Sequence, residues 1–204
     1  MSQPNTDHAD QTRQAADRRA ARAVVRHHAA LATTLADHVA ALLEAASIGS
    51  SRRTWQRRDQ PTGWLHAELL PHAAAEEAAM YPCAAAQPGG QLLVDGMMSE
   101  HRAITALVGE VETATTPMTA AAAARALSAL FAAHLAKEND LILPLLVTAE
   151  QVSLADLLDG MHELLGTARA SGDHGDCGCG DASDRGVTGL TAAGRDHTRH
   201  GGQR

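Results

Sequence analysis

The chain has 204 residues, of which alanine makes up about a fifth and the aromatics Trp55, Trp64, Tyr81 and Phe131 only 2%. That length holds one domain with a real hydrophobic core. Scarce strand formers beside abundant Ala and Leu argue for an all-α fold rather than a sandwich or barrel. The net charge of −7 gives no electrostatic reason to expect nucleic acid or an anionic membrane as partner. The first ten residues are polar, without a basic-then-apolar signal pattern, and no stretch of about 20 apolar residues is free of charge. A cytoplasmic protein with neither partner is therefore the expectation. Cys83, Cys177 and Cys179 are too few and too oddly spaced for a secreted disulfide framework. The outlying count is histidine, at 12, and histidine is the commonest metal ligand among side chains.

In chain order, a flexible leader is expected over residues 1–12. A first long helix follows as far as Ile48, stopped by Gly49 and Ser50. Residues 49–63, with their turn formers and two Arg pairs, read as a solvated loop holding at most a short helical piece. A second helix is expected over Trp64–Met80, with Pro71 as a kink or restart and an end at Tyr81-Pro82. A third runs from about Gln91 to Thr113 after Gln87-Pro88-Gly89-Gly90. The short break at Thr115-Thr116-Pro117 makes it an antiparallel neighbour of a fourth, about Thr119 to Thr148. A fifth, short helix starts at Ser153 as N-cap and runs to about Ala168. The helical domain thus spans 13–169. The Gly, Asp and His-rich segment 170–204 has too little apolar surface to offset the entropy of ordering and reads as disordered.

The spacing H-x-x-x-E occurs twice, as His72 to Glu76 and His134 to Glu138. Positions i and i+4 lie within about 40° on a helix face, so each pair presents an imidazole and a carboxylate to one point. On the fourth helix that point lies in an apolar stripe with Leu127, Leu130, Phe131, Leu141 and Leu145; on the second it lies in line with Leu65, Leu69 and Met80. A buried, unpaired carboxylate costs several kcal/mol, and two on facing helices demand a compensating cation. His101, in register with Val94, Met97, Ile104 and Val108, and His28, in register with Val24, Leu31, Leu35 and Val39, point inward from the other two helices. Four imidazoles and two carboxylates able to bridge suit a pair of ions better than one tetrahedral zinc. Without thiolate, the softness of the donors favours iron or manganese.

These residues resemble the hemerythrin-like, or HHE cation-binding, family. The resemblance covers about residues 20–150, including HAAAEEAAMYP and HLAKENDLILPLL, and its pattern H…HxxxE…H…HxxxE is specific. It implies an up-down-up-down four-helix bundle around a non-haem di-iron centre with an oxo or hydroxo bridge. Its ligands would be His28, His72, Glu76, His101, His134 and Glu138, the glutamates bridging. It implies a protein that binds or reacts with dioxygen, nitric oxide or peroxide, with a role in oxidative stress. The alternatives are a catalase-like enzyme that removes peroxide, or an iron-storage or sensing protein without turnover. Oxygen-carrying members use five His and two carboxylates; here Thr105 stands where a second His would follow His101.

Other readings stay open. His66 joins the ligands only if Pro71 re-aims it, and His27 and His38 read as surface or satisfied residues. Glu77 is either solvated or an acceptor orienting a ligand His, as is Glu100; Glu68 is a similar acceptor or an exposed ion-pair partner. Tyr81 either packs at a helix end or donates to a bound ligand. The tail motif around Asp173, His174, Cys177 and Cys179 admits a metal or redox role on weak grounds. No nucleophilic triad, phosphate loop or dinucleotide fingerprint is present, which sets ordinary hydrolase or dehydrogenase chemistry aside.

Overall fold

Ala-rich and Leu-rich segments of 20 or more residues give helices, and the computed structural model, which describes residues 4–48 and 51–161, has no strand among them. Helix α1 is Pro4–Ser47 and α2 is Ser51–Trp64; a π-helical turn, Leu65–Leu69, joins α2 to α3, Leu70–Ala85. Helix α4 is Gly90–Thr113, and α5, Pro117–Lys137, passes through a second π-helical turn, Glu138–Ile142, into α6, Leu143–Thr148. Residues 154–161 are helical again. The expected tail, with His174, Cys177, Cys179, His197 and His200, and the end of the fifth helix lie outside the described residues. Helix α4 packs along α5, α5 along α1, α1 along α2, and α3 along α4.

Two boundaries follow the local chemistry. Gly89 takes the left-handed φ of 77° before α4, and a Cβ on Gly90 would lie 1.8 Å from the Ala84 carbonyl oxygen, so the turn requires both glycines. At α5, Thr116 and Thr119 cap each other reciprocally, each hydroxyl accepting the other's backbone N–H at 3.1 and 3.2 Å, with Pro117 in the first turn.

Elsewhere the structure corrects the sequence reading. Helix α1 begins at Pro4, inside the stretch read as leader, where proline is at home in a first helical turn. Residues 49–63 are not a loop, because α2 occupies most of them. Its weak helix formers are held by tertiary contacts: Trp55 and Trp64 pack against the core, and Pro61 is buried. The Arg58 guanidinium lies 4.8 Å over the Trp55 ring and donates to the Glu112 carbonyl in the last turn of α4 at 3.1 Å. Nor does the helix stop at Pro82. The carbonyl that Pro82 leaves unpaired belongs to Ala78, on the exposed side, where water can take it.

The two π-helical turns share one cause. Pro71 and Pro144 have no N–H for the carbonyl four residues back, and their rings crowd it. The chain absorbs an extra residue just before each proline: Leu70 N–H reaches the Leu65 carbonyl, and Leu143 N–H reaches that of Glu138, five residues back instead of four. The second turn shifts the apolar stripe. Leu141, expected inside, is 48% exposed and Leu145 half-buried, whereas Ile142 and Leu146 are fully buried.

The core has two clusters. One gathers Leu31, Leu35, Leu42, Leu69, Ile104, Leu127 and Phe131; the other gathers Val24, Ala75, Met80, Met97, Ile142 and Leu146. Buried Asp17 ties the last helical segment to α1, its Oδ1 accepting from the Ala155 backbone N–H at 3.1 Å and the Ser153 hydroxyl at 3.3 Å. Ser153 is the expected N-cap, accepting from Asp156 N–H. By length and composition alone Asp10–Ser47 and Pro117–Thr148 could cross a membrane. Their buried faces, however, carry His28, His134 and Glu138, groups that are costly in hydrocarbon.

The register shift gives a direct test. In chemical denaturation Ile142→Ala should cost about 2–5 kcal/mol, and Leu141→Ala should stay within about 0.5 kcal/mol; an unshifted helix would reverse the order.

Candidate metal centre

On each long helical stretch a ligand candidate falls where one core cluster gives way to the other. His28 lies between Val24 and Leu31, His72 between Leu69 and Ala75, His101 between Met97 and Ile104, and His134 and Glu138 between Phe131 and Ile142. The apolar period that buries the neighbours thus buries these polar groups at one level, and all six, with Glu76, are at most 5% exposed.

The structure brings all six together. Donor atoms of His28, His72, Glu76 and Glu138 lie within 4.8 Å of one another, and so do those of Glu76, His101, His134 and Glu138. The two carboxylates belong to both groups. Glu76 Oε1 lies 2.9 Å from His72 Nε2 and 3.3 Å from His28 Nε2, and its Oε2 lies 3.7 Å from His101 Nε2. Glu138 Oε2 lies 3.7 Å from both His28 Nε2 and His134 Nε2. Each carboxylate therefore spans the two groups.

Partners on the far ring nitrogens fix the tautomers. His101 Nδ1–H donates to Glu77 Oε1 at 2.7 Å, His134 Nδ1–H to Glu100 Oε2 at 3.1 Å, and His28 Nδ1–H to Asn139 Oδ1 at 2.8 Å. These bonds leave the Nε2 atoms of His101 and His134 with lone pairs turned inward, while His28 Nε2 is within hydrogen-bond distance of Glu76 Oε1. The His101 and His134 Nε2 atoms then face each other at 3.0 Å, two lone pairs with no proton between them. His72 Nε2 and Glu138 Oε2 are buried without a hydrogen-bond partner. Converging lone pairs and orphaned buried acceptors are what a cation between the helices would satisfy, so the residues present fit a metal.

Electrostatics agree. Burial pushes the Glu76 carboxyl up, but the neighbouring His72, followed by the hydrogen bond from His28, outweighs it and holds the group well below the usual range. Burial and the neighbouring Glu76 charge push Glu138 well above that range, against a hydrogen bond from Tyr81. Two carboxylates this close do not both ionise without a cation. Burial, followed by the charge of His101, lowers His134 to about 4, which leaves its imidazole neutral at pH 7. Burial, then Glu138, raises the Tyr81 phenol, which stays a donor.

Several open readings now close. Tyr81 is buried, donates to Glu138 Oε1 at 2.7 Å, and its ring stacks at 5.4 Å on His101. Glu77 and Glu100 are acceptors for the candidate ligands His101 and His134, and Glu100 also takes Lys137. His66 is exposed and pairs with Glu112 at the surface, because the π-helical turn leaves Leu65 and Leu69 as that segment's inward residues. His38 packs beside Trp64. His27 is exposed but places its ring 5.0 Å from His72, at the edge of the site. The Thr105 hydroxyl bonds the His101 carbonyl of its own helix and offers no ligand. Asn139 was missed; an amide next to a ligand Glu in a helix is an ordinary surface residue until a π-helical turn re-aims it.

The Hemerythrin HHE cation binding domain family matches residues 19–146, and the chain belongs to this family. Comparison with curated proteins and with solved structures gave no match.

In the metal-free protein the Glu138 carboxyl, raised above the usual glutamate value of 4.5, contributes stability that is full below that value and lost as pH rises through the raised one. Glu138→Gln, which cannot titrate, should therefore gain stability relative to the wild type as pH rises above 4.5. Thermal denaturation of both proteins with chelator, across pH, should show this difference growing; a constant difference would mean that Glu138 titrates normally.

Proposed function

We propose that the six residues hold two metal ions, bridged by Glu76 and Glu138, and that this centre binds or reacts with dioxygen, nitric oxide or peroxide. The observation that carries the reading is that two buried donor groups share both carboxylates. His28 and His72 would serve one ion, His101 and His134 the other. Imidazole and carboxylate without thiolate favour iron, with manganese next. We read the long helical stretches as an up-down-up-down bundle, on the ground that Ala86–Gly89 and Ala114–Thr116 are connections too short for anything but antiparallel neighbours. A net charge of −7 favours a protein with neither nucleic acid nor an anionic membrane as partner, and three oddly spaced cysteines favour the reducing cytoplasm.

What the bound metal supplies is an open coordination position and redox capacity. The chain supplies the rest. Four protein donors per position are fewer than iron accepts, so a small ligand has room. Leu, Val and Met side chains exclude bulk water, and Tyr81 holds a proton 2.7 Å from Glu138 Oε1, at the site's edge. A second reading, peroxide removal by turnover, is favoured by Thr105, which leaves the His101 side without a further imidazole.

Oxygen release from hydrogen peroxide, two molecules giving two of water and one of dioxygen, separates the readings. Release by the iron-loaded protein well above that of free iron, lost in Glu76→Ala and Glu138→Ala, is the result expected of an enzyme. No release, with optical changes on adding nitric oxide or dioxygen to the reduced protein, marks a binding protein. Neither response would remove the proposal.

A further inference from the structure

The two halves of the centre are not alike. On one side both imidazoles lean on carboxylates, His101 on Glu77 at 2.7 Å and His134 on Glu100 at 3.1 Å. On the other side His28 leans on the amide of Asn139 at 2.8 Å, and the ring beside His72 is that of His27, at 5.0 Å. A carboxylate accepting the Nδ1 proton pulls it away from the ring and makes the opposite nitrogen a stronger donor; an amide does so far less. Lys137 tempers Glu100, whereas no lysine or arginine pairs with Glu77 among the described residues. Tyr81 donates to the shared Glu138, and its hydroxyl also lies 3.3 Å from His101 Nε2, so it too belongs to the His101 side.

We propose that the two metal positions are unequal, that the one between His101 and His134 is tighter and fills first, and that Glu77, Glu100 and Asn139 are the positioning residues that set the difference. The placement of Asn139 has a structural origin. It lies in the π-helical turn imposed by Pro144, one residue past the shared Glu138, so the same extra residue that shifts the apolar stripe also brings an amide to His28. This inference rests on the dinuclear reading above, and it adds an order of filling. Repulsion between two cations would by itself make the second bind more weakly, so two steps alone do not establish it. The decisive matter is which step each variant moves.

The test is anaerobic calorimetric titration of the metal-free full chain with Fe²⁺, with helicity checked by circular dichroism. Glu77→Gln and Glu100→Gln keep size and shape at partly exposed positions, and each should weaken the first step about 10-fold to 100-fold, the usual effect of losing such a partner. Asn139→Asp should strengthen the second step and leave the first within about threefold. Two ions bound, with Glu77→Gln weakening only the second step, would overturn the order of filling and leave the dinuclear reading intact. Asn139→Asp strengthening the first step would do the same. Saturation at one ion per chain in the wild type would instead overturn the dinuclear reading, and this inference with it.

Discussion

Two glutamates buried side by side among four imidazoles are the constraint around which this protein is built. Glu76 and Glu138 are almost fully buried, and burial together with the Glu76 charge pushes the Glu138 carboxyl well above its usual range. Everything near them works on this problem. His28 and His72 hold Glu76 ionised, Tyr81 donates to Glu138, Glu77 and Glu100 turn the His101 and His134 imidazoles so that lone pairs face the centre, and Asn139 orients His28. A purely structural network would have paired these atoms with one another. Here His72 Nε2 and Glu138 Oε2 stay unpaired, and the His101 and His134 nitrogens face each other lone pair to lone pair.

The fold serves the same end by ordinary means. Apolar residues at helical spacing form one cluster on each side of the site, so the polar layer is sealed at both ends by side chains such as Leu35, Phe131, Met97 and Ile142. The two prolines that interrupt the long helical stretches are part of the design. Pro71 lies just before His72, and the π-helical turn before Pro144 begins at Glu138. Turns of this kind frequently mark functional sites, and here each adjoins a candidate ligand.

The buried, converging histidines and glutamates were legible in the sequence because burial and helical period are linked. A histidine in register with Leu31 and Leu35, or with Ile104 and Val108, can only face inward, and H-x-x-x-E fixes a carboxylate on the same face. What escaped has physical reasons too. Helix α2 is built from weak helix formers, and its order comes from Trp55, Pro61 and Arg58 meeting distant residues, which no local signal reports. The π-helical turns follow from proline chemistry, but a proline in a helical pattern announces a kink, a restart or a bulge with the same letters, so the inward place of Ile142 in preference to Leu141 was hidden. Glu77 and Glu100 were readable only as one of two alternatives, since acceptors for ligand histidines and solvated acids share a sequence. Asn139 carried no signal at all.

The central claim is that six side chains from the long helical stretches enclose two ions, and the metal-to-chain ratio tests it most directly. The full chain, stripped with chelator, reloaded anaerobically with ferrous iron and freed of excess, should retain two irons per chain. The ratio should fall sharply in Glu76→Ala and Glu138→Ala, the two variants that remove a shared donor. A wild-type ratio below about one, or a ratio indifferent to both glutamates, would contradict the account.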